Sequence, residues 1–204
     1  MKTENMTRKV EMSDFKQFPV ESGETLSMHP KKFALWLFIV SIVMIFAAMS
    51  SAYIVRKGDG NWLEFDLPPV LWTSSVVILL SSGTIQWAHY LARKDNLDTL
   101  KIAMFITFVL GGAFLVLQWM GWQDMQQRQI LLNGNPSGSF IYILTGLHAF
   151  HLVTGIVFLL IMVLAAFRDK IHAKAMTWMD MCTTYWHFLD FLWIYLFAFM
   201  LLNR

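Results

Sequence analysis

The sequence predicts an all-α membrane protein built from five transmembrane helices. Three observations lead there. The chain has 204 residues, 56% of them hydrophobic and only 15% charged, against about a quarter charged in a soluble domain. Its apolar residues gather into five runs, each near or above the roughly 20 residues that a helix needs to cross a bilayer. The runs show no two-residue alternation and are too long for strands, which excludes a closed β-barrel.

The first run, "FALWLFIVSIVMIFAAMSSAYIV", spans 33–55 and ends at the charged and flexible "RKGDG". The second, "VLWTSSVVILLSSGTIQWAHYLA", spans 70–92, after Pro68-Pro69 and before "RKDN". The third, "LKIAMFITFVLGGAFLVLQWMGW", covers about 100–122. The turn sequence "NGNPSG" separates it from the fourth, "FIYILTGLHAFHLVTGIVFLLIMVLAAF", 140–167, which stops at "RDK". The fifth, "DMCTTYWHFLDFLWIYLFAFMLL", is 180–202. The domain organisation is therefore a polar N-terminal tail, 1–29, followed by a five-span membrane domain, 30–204. The tail has few bulky apolar residues and is expected not to bury a core of its own. It lacks a short apolar core before a small-residue cleavage site, so the first run is expected to be retained rather than removed as a leader.

Lysine and arginine set the orientation. With the N-terminus in the cytoplasm, twelve of the sixteen fall in the tail and the inner loops. The outer segments then hold Arg56, Lys57, Arg128 and Arg204. The expected topology is N-terminus inside, C-terminus outside. A net charge of +2 gives no argument for a nucleic-acid partner, and a single cysteine, Cys182, allows no internal disulfide. There is no nucleophile–base–orienter set, phosphate loop or GxGxxG fingerprint, and no inverted repeat of the kind that marks transporters.

Polar residues inside apolar spans turn toward protein or a water-filled cavity and are functional candidates by default. The fourth span carries "TGLHAFHLVTG", in which Thr145, His148, His151 and Thr154 step by three along one slowly drifting stripe. The fifth carries "YWHFLDFLWIYLF", with His187 and Asp190 one turn apart between Trp186 and Trp193, and Asp180 at its entry. An i,i+3 pairing of His187 with Asp190 would lower the cost of burying either. Gln118 sits in the third span, and Gln86 and His89 near the end of the second. Imidazole is a common metal and haem ligand, so His148, His151 and His187 could in principle meet around a metal or haem. A bis-histidine haem would take one ligand from each of two facing helices, whereas a structural zinc or copper site wants more ligands, and Cys182 lies near the membrane edge; hydrogen bonding between helices is the plainer role.

These segments resemble a known family. "TGLHAFHLVTG" followed by "YWHFLDFLWIYLF" is similar to the two signature segments of subunit III of haem–copper cytochrome oxidases. "WLFIVSIVMIFAAMSSAYIV", "LWTSSVVILLSSGTIQWAHYLAR" and "LQWMGW" resemble three further segments of that family, in the same order. The chain looks like the short, five-helix bacterial form. The resemblance implies a helical bundle with a V-shaped cleft that holds phospholipid. It implies a non-redox accessory subunit with no catalytic or metal residue of its own, haem and copper lying in partner subunits. The main partner would be oxidase subunit I, with subunit II, a small subunit IV and a respiratory supercomplex as further expected contacts. The chain would stabilise subunit I and support proton uptake in a proton-pumping oxidase of a bacterial cytoplasmic (inner) membrane.

Carried over by position, His148 and His151 match the family's paired histidines. Tyr185, Trp186, His187, Asp190 and Trp193 match its last-span signature, and Gln118 matches a conserved-type LQ glutamine. Asp180 falls where the family often has glutamate. These residues are expected to form lipid or subunit contacts and an interhelical polar lock. Two carboxylate positions of the family are lost, to Ser41 and Gly121. The donor could be cytochrome c, the more common case, or a quinol. A subunit-III-like protein of nitric oxide reductase is a related alternative, and a stand-alone haem-binding membrane cytochrome is the alternative of another class.

Overall fold

The computed structural model describes residues 30–94, 96–168 and 176–203. The chain divides into two units, Met1–Pro30 and Lys31–Arg204, and the architecture that follows is that of the second. The expected tail, 1–29, and residues 170, 174 and 204, which entered the charge argument, lie outside the described residues.

The elements are α1 (Pro30–Gly58), α2 (Val70–Arg93), α3 (Leu97–Gln127), α4 (Pro136–Phe167) and α5 (Met176–Leu202). All five are long and apolar enough to cross a membrane, so the predicted fold class holds. Each helix outruns its apolar run, because backbone hydrogen bonding ends at a cap and not where apolarity ends. The Asn96 side chain accepts from Thr99 N and starts α3 three residues before the apolar run, with Asp98 in the first turn. Asn135 Oδ1 accepts from Ser137 N at 3.0 Å, ahead of a proline at the first helical position of α4. Asn135 also takes Leu63 N at 3.3 Å and gives Nδ2 to the Asn61 carbonyl at 3.0 Å. One side chain thereby caps a helix and ties the two interhelical loops of that end together. The turn it grips holds Gly60 at φ 82° and Asn61 at φ 54°, left-handed values that suit these two residue types.

Helices α2, α3, α4 and α5 form a closed ring in which each packs on two neighbours, α2 meeting α3 and α5, and α4 meeting α3 and α5. Trp186, Trp193 and Phe114 fill its centre, each under 2% exposed. Two glycines let the ring close. A Cβ on Gly111 of α3 would lie 2.6 Å from Trp186 Cη2, and one on Gly155 of α4 would lie 2.8 Å from Leu189 Cδ1. Small residues at such points allow close helix approach where the bilayer supplies no hydrophobic drive between helices.

Helix α1 stands outside the ring and meets it through long side chains. Ile39, Ile42, Phe46, Ser50 and Tyr53 are its buried residues, a single stripe of three- and four-residue steps. Tyr53 packs edge-on against Phe140 and Phe199 and donates its hydroxyl to the Asn203 carbonyl at 3.0 Å. The other faces of α1 are apolar and exposed, Trp36, Leu37, Val40 and Met44 among them.

Candidate functional site: the polar rungs of the bundle

Helix α5 runs antiparallel to α2, and polar contacts join the two at successive levels. Trp193 Nε1 donates to Ser75 Oγ at 3.0 Å, and Trp186 Nε1 donates to Ser81 Oγ at 2.8 Å. His187 Nδ1 lies 2.7 Å from Ser82 Oγ, and its Nε2 lies 3.0 Å from Gln86 Oε1. At the end of the row Asp180 accepts from His89 Nε2 at 2.8 Å and from Lys32 Nζ of α1 at 2.9 Å. The spacing explains the register. Trp186 and Trp193 are seven residues apart and their acceptors Ser81 and Ser75 six apart, both close to two turns, so each indole meets one member of the serine pairs Ser74-Ser75 and Ser81-Ser82 on α2. An indole N–H in the apolar interior needs an acceptor, and a serine supplies one while keeping the backbones close.

The side of the ring formed by α3, α4 and α5 divides the expected stripe of α4. Thr154 Oγ1 and the Tyr185 hydroxyl are 2.8 Å apart, and Thr145 Oγ1 accepts from Trp122 Nε1 at 3.0 Å. His151 turns its Nδ1 to the Leu147 carbonyl of its own helix at 2.7 Å. His148, fully buried, packs as an aromatic ring 5.1 Å from Trp193 and 6.0 Å from Phe114, centre to centre. Neither of its nitrogens meets a protein partner, and the same is true of the Gln118 amide and both Asp190 oxygens. The antiparallel register set by Trp122 and Thr145 brings Gln118 to the level of His148.

His187 and Asp190 are not bonded to each other, contrary to the i,i+3 pairing expected from sequence. Both ring nitrogens of His187 are taken by α2, while Asp190 is 3% exposed and points inward. Three residues turn a helix through about 300°, so the two side chains diverge by about 60° around α5 and do not meet each other. Asp180, by contrast, does form an ion pair, with Lys32, which the apolar-run boundaries had placed outside the first span.

Of the two lost carboxylate positions, Ser41 lies on the exposed side of α1 and donates to the Phe38 carbonyl at 2.7 Å. Gly121 is buried, and a Cβ there would lie 3.4 Å from Leu71 Cδ2. Ser75, Ser81, Ser82 and Lys32 are the contact residues that sequence reasoning missed. The signal was the recurrence, about two turns apart, of serine pairs on one span and tryptophans on another. Among the described residues no three His, Cys, Asp or Glu side chains converge as metal ligands do. A pocket of about 400 Å³ opens at the charged end of the bundle, lined by Lys32, Gln86, His89, Arg93, Asp180 and His187 among others.

Residues 63–203 match the family described as cytochrome c oxidase subunit III. Cytochrome c oxidase subunit 3 of Rattus norvegicus is 28% identical over 178 residues, covering 82% of this chain and 67% of the relative. A protein named probable cytochrome c oxidase subunit 3, from Nocardia farcinica, is 28% identical over 170 residues, covering 80% of this chain and 82% of the relative. Cytochrome bo(3) ubiquinol oxidase subunit 3 of Buchnera aphidicola is 28% identical over 182 residues, covering 85% and 94%. The family match takes in the whole ring from α2 to α5, with every rung between α2 and α5 inside it. This multi-pass membrane chain therefore belongs to the cytochrome c oxidase subunit III family, and so to a complex with other oxidase subunits.

Proposed function

We propose that the chain is a non-redox accessory subunit of a proton-pumping haem–copper terminal oxidase, seated in a bacterial cytoplasmic membrane with its N-terminus inside. On this reading it packs on subunit I, with subunit II and a small fourth subunit nearby. It stabilises the catalytic core, holds phospholipid and supports proton uptake. The observation that carries the reading, beside family membership, is how the imidazoles are used. His187, His89 and His151 are hydrogen-bonded within the bundle, and His148 is wedged between aromatic rings. His187 and His89 join α2 to α5, His151 is bonded within α4, and His148 packs between rings of α3 and α5. The exposed apolar faces of α1 supply surface for subunit I, and the pocket that carries Lys32 and Arg93 suits a lipid phosphate.

Affinity purification of the tagged chain from its native membrane tests the reading. A haem-containing subunit I is expected in the eluate, with a reduced-minus-oxidised haem spectrum. Recovery of the chain with no such partner refutes it. Stoichiometric haem on the separated chain in a pyridine haemochrome assay refutes the non-redox part. Cytochrome c is the preferred electron donor. The Buchnera relative, named as a subunit of a ubiquinol oxidase and covered over 94% of its length, favours quinol as the second reading. A copper-A motif in the accompanying subunit II decides for cytochrome c, and its absence decides for quinol.

A further inference from the structure

The close helix pairs all lie within the ring, and α1 is held to it by side chains across a wider seam. Two concavities lie along the seam between α1 and α5. One is the pocket of about 400 Å³ at the charged end, where Leu35 and Trp36 of α1 and Thr184 and His187 of α5 join the charged groups. The other is an apolar groove of about 300 Å³, lined by Val43, Phe46 and Ala47 of α1 and by Phe188, Phe191 and Tyr195 of α5 among others. The two use one face of each helix. Trp36, Val43 and Ala47 step by seven and four, and Thr184, Phe188, Phe191 and Tyr195 by four, three and four. At the far end of the groove the Tyr195 hydroxyl donates to Ser50 Oγ at 3.1 Å and bridges the helices.

The chemistry changes along the seam. The pocket holds two side-chain cations, Lys32 and Arg93, and one acid, Asp180. With neutral imidazoles the balance is one positive charge. Asp180 accepts from His89 at Oδ1 and from Lys32 at Oδ2. Among the described residues no carboxylate pairs with Arg93. Gln86 turns its carbonyl oxygen to His187, which leaves its amide hydrogens as donors. The lengths agree on both helices. Lys32 to Ala47 is fifteen residues, as is Asp180 to Tyr195, or about 22 Å of helix. Half of a bilayer, headgroups included, is about 20–22 Å.

We propose that the seam binds one phospholipid whose headgroup carries a single negative charge and no amine, the chemistry of phosphatidylglycerol. The Arg93 guanidinium and the Lys32 ammonium hold the phosphodiester, and the Gln86 amide donates to the headgroup. One acyl chain runs past Trp36 to Val43 and Ala47, against Phe188 and Phe191. An ethanolamine headgroup leaves the positive charge of the pocket unbalanced, and its ammonium meets an Asp180 already held at both oxygens. A lipid with two phosphates brings one negative charge too many. The bound lipid fills space that the side chains of α1 do not span, and so fastens α1 to the ring. The proposal rests on the reading of the chain as a phospholipid-holding oxidase subunit, and adds the place, the headgroup class and the task.

The complete oxidase complex tests it, stripped of loose lipid in detergent and returned to phosphatidylglycerol, phosphatidylethanolamine or an equal mixture, with bound lipids counted by native mass spectrometry. The wild type is expected to keep one more phosphatidylglycerol than Arg93→Gln, and to prefer it over phosphatidylethanolamine at that site about fivefold. Arg93→Lys should restore the count. Ala47→Phe fills the groove and should lose the lipid with either headgroup. Excess inorganic phosphate should not displace it, because the acyl chain carries much of the binding. Equal phosphatidylglycerol counts in wild type, Arg93→Gln and Ala47→Phe overturn this site while leaving lipid held elsewhere on the subunit. Equal retention of the two headgroups overturns the headgroup class, and displacement by phosphate makes the pocket a free-anion site and overturns the lipid. A wild-type complex that keeps no phospholipid overturns both the site and the lipid part of the broader reading. Should Ala47→Phe fail to assemble, Arg93→Gln decides alone.

Discussion

Replacing Gly111 by alanine puts a methyl group against the ring at the centre of the bundle. The new Cβ would lie 2.6 Å from Trp186 Cη2 and 3.0 Å from Cζ2, whereas carbon atoms rest at about 3.5–4.0 Å. The indole must then retreat by about 1 Å, and it is fully buried. Its Nε1 donates to Ser81 Oγ at 2.8 Å, and the same retreat takes that contact past the limit of a hydrogen bond. Overpacking costs about 1–3 kcal/mol and the lost bond about 1 kcal/mol. Alanine returns up to about 1 kcal/mol of helix propensity. The net expectation is roughly 1–3 kcal/mol of destabilisation. Gly112 is the control, because nothing lies within 4 Å of a Cβ there, and Gly112→Ala should be neutral or slightly stabilising. The assay is the unfolding midpoint in mixed detergent micelles, with each variant purified in its complex and then separated. Trp186→Phe removes the clashing atoms, so it should be less harmful in the Gly111→Ala background than in the wild type, a coupling that a double-mutant cycle reads directly. Equal midpoints for Gly111→Ala and Gly112→Ala would refute the reasoning.

Three further outcomes follow from the rungs. Trp193→Phe and Ser75→Ala each lose the bond between Trp193 and Ser75 and should each cost about 1 kcal/mol; the double variant should cost less than the two together, as measured by the same unfolding midpoints. His148→Leu removes two buried nitrogens that have no protein partner and keeps nearly the same volume, so its midpoint should move by less than about 1 kcal/mol, whereas His148→Ala should lose roughly 2–5 kcal/mol to a cavity. A large loss for His148→Leu would mean that those nitrogens are engaged in the assembled complex. Asp180→Asn weakens partly exposed contacts to Lys32 and His89, and should cost no more than about 1 kcal/mol, fading as salt is raised; a larger or salt-independent loss would contradict the geometry.

The five helices were legible because length and apolarity are local properties, readable residue by residue. The helix ends were not, since Asn96 and Asn135 decide them through single caps in polar sequence. The site was legible in half. His148, His187 and Asp190 stand out because a polar residue in an apolar run is conspicuous by itself. Their partners do not stand out. Ser75, Ser81 and Ser82 look like ordinary small residues until α2 and α5 are laid antiparallel, and only then does each fall opposite Trp193, Trp186 or His187. Partnership is a property of two helices and their register, which one sequence leaves open. The pairing of His187 with Asp190 went astray for the same reason. Proximity along a helix is not contact, and the hydroxyl and amide on α2 make the better bonds with His187.

The two missing carboxylates sharpen the role of the two that remain. Ser41 sits on the outward side of α1, where its hydroxyl is spent on its own backbone, so that face presents an apolar surface with nothing to titrate. Gly121 faces α2 closely enough that a Cβ would touch Leu71, and the neighbouring Trp122 reaches across to Thr145 instead. A glutamate there would have to displace Leu71 and would enter a level already closed by an indole–hydroxyl bond. With both positions filled by residues that cannot exchange protons, the acids of the row between α2 and α5 are Asp180 and Asp190, both on α5, while Asp124 of α3 pairs with Arg128. Asp180 is tied between a lysine and a histidine and is open to the pocket. Asp190 lies buried behind Ser82 and His187. The acid–base groups of the α2–α5 row are therefore concentrated on α5, with Lys32 of α1 and His89 of α2 holding Asp180 at its open end.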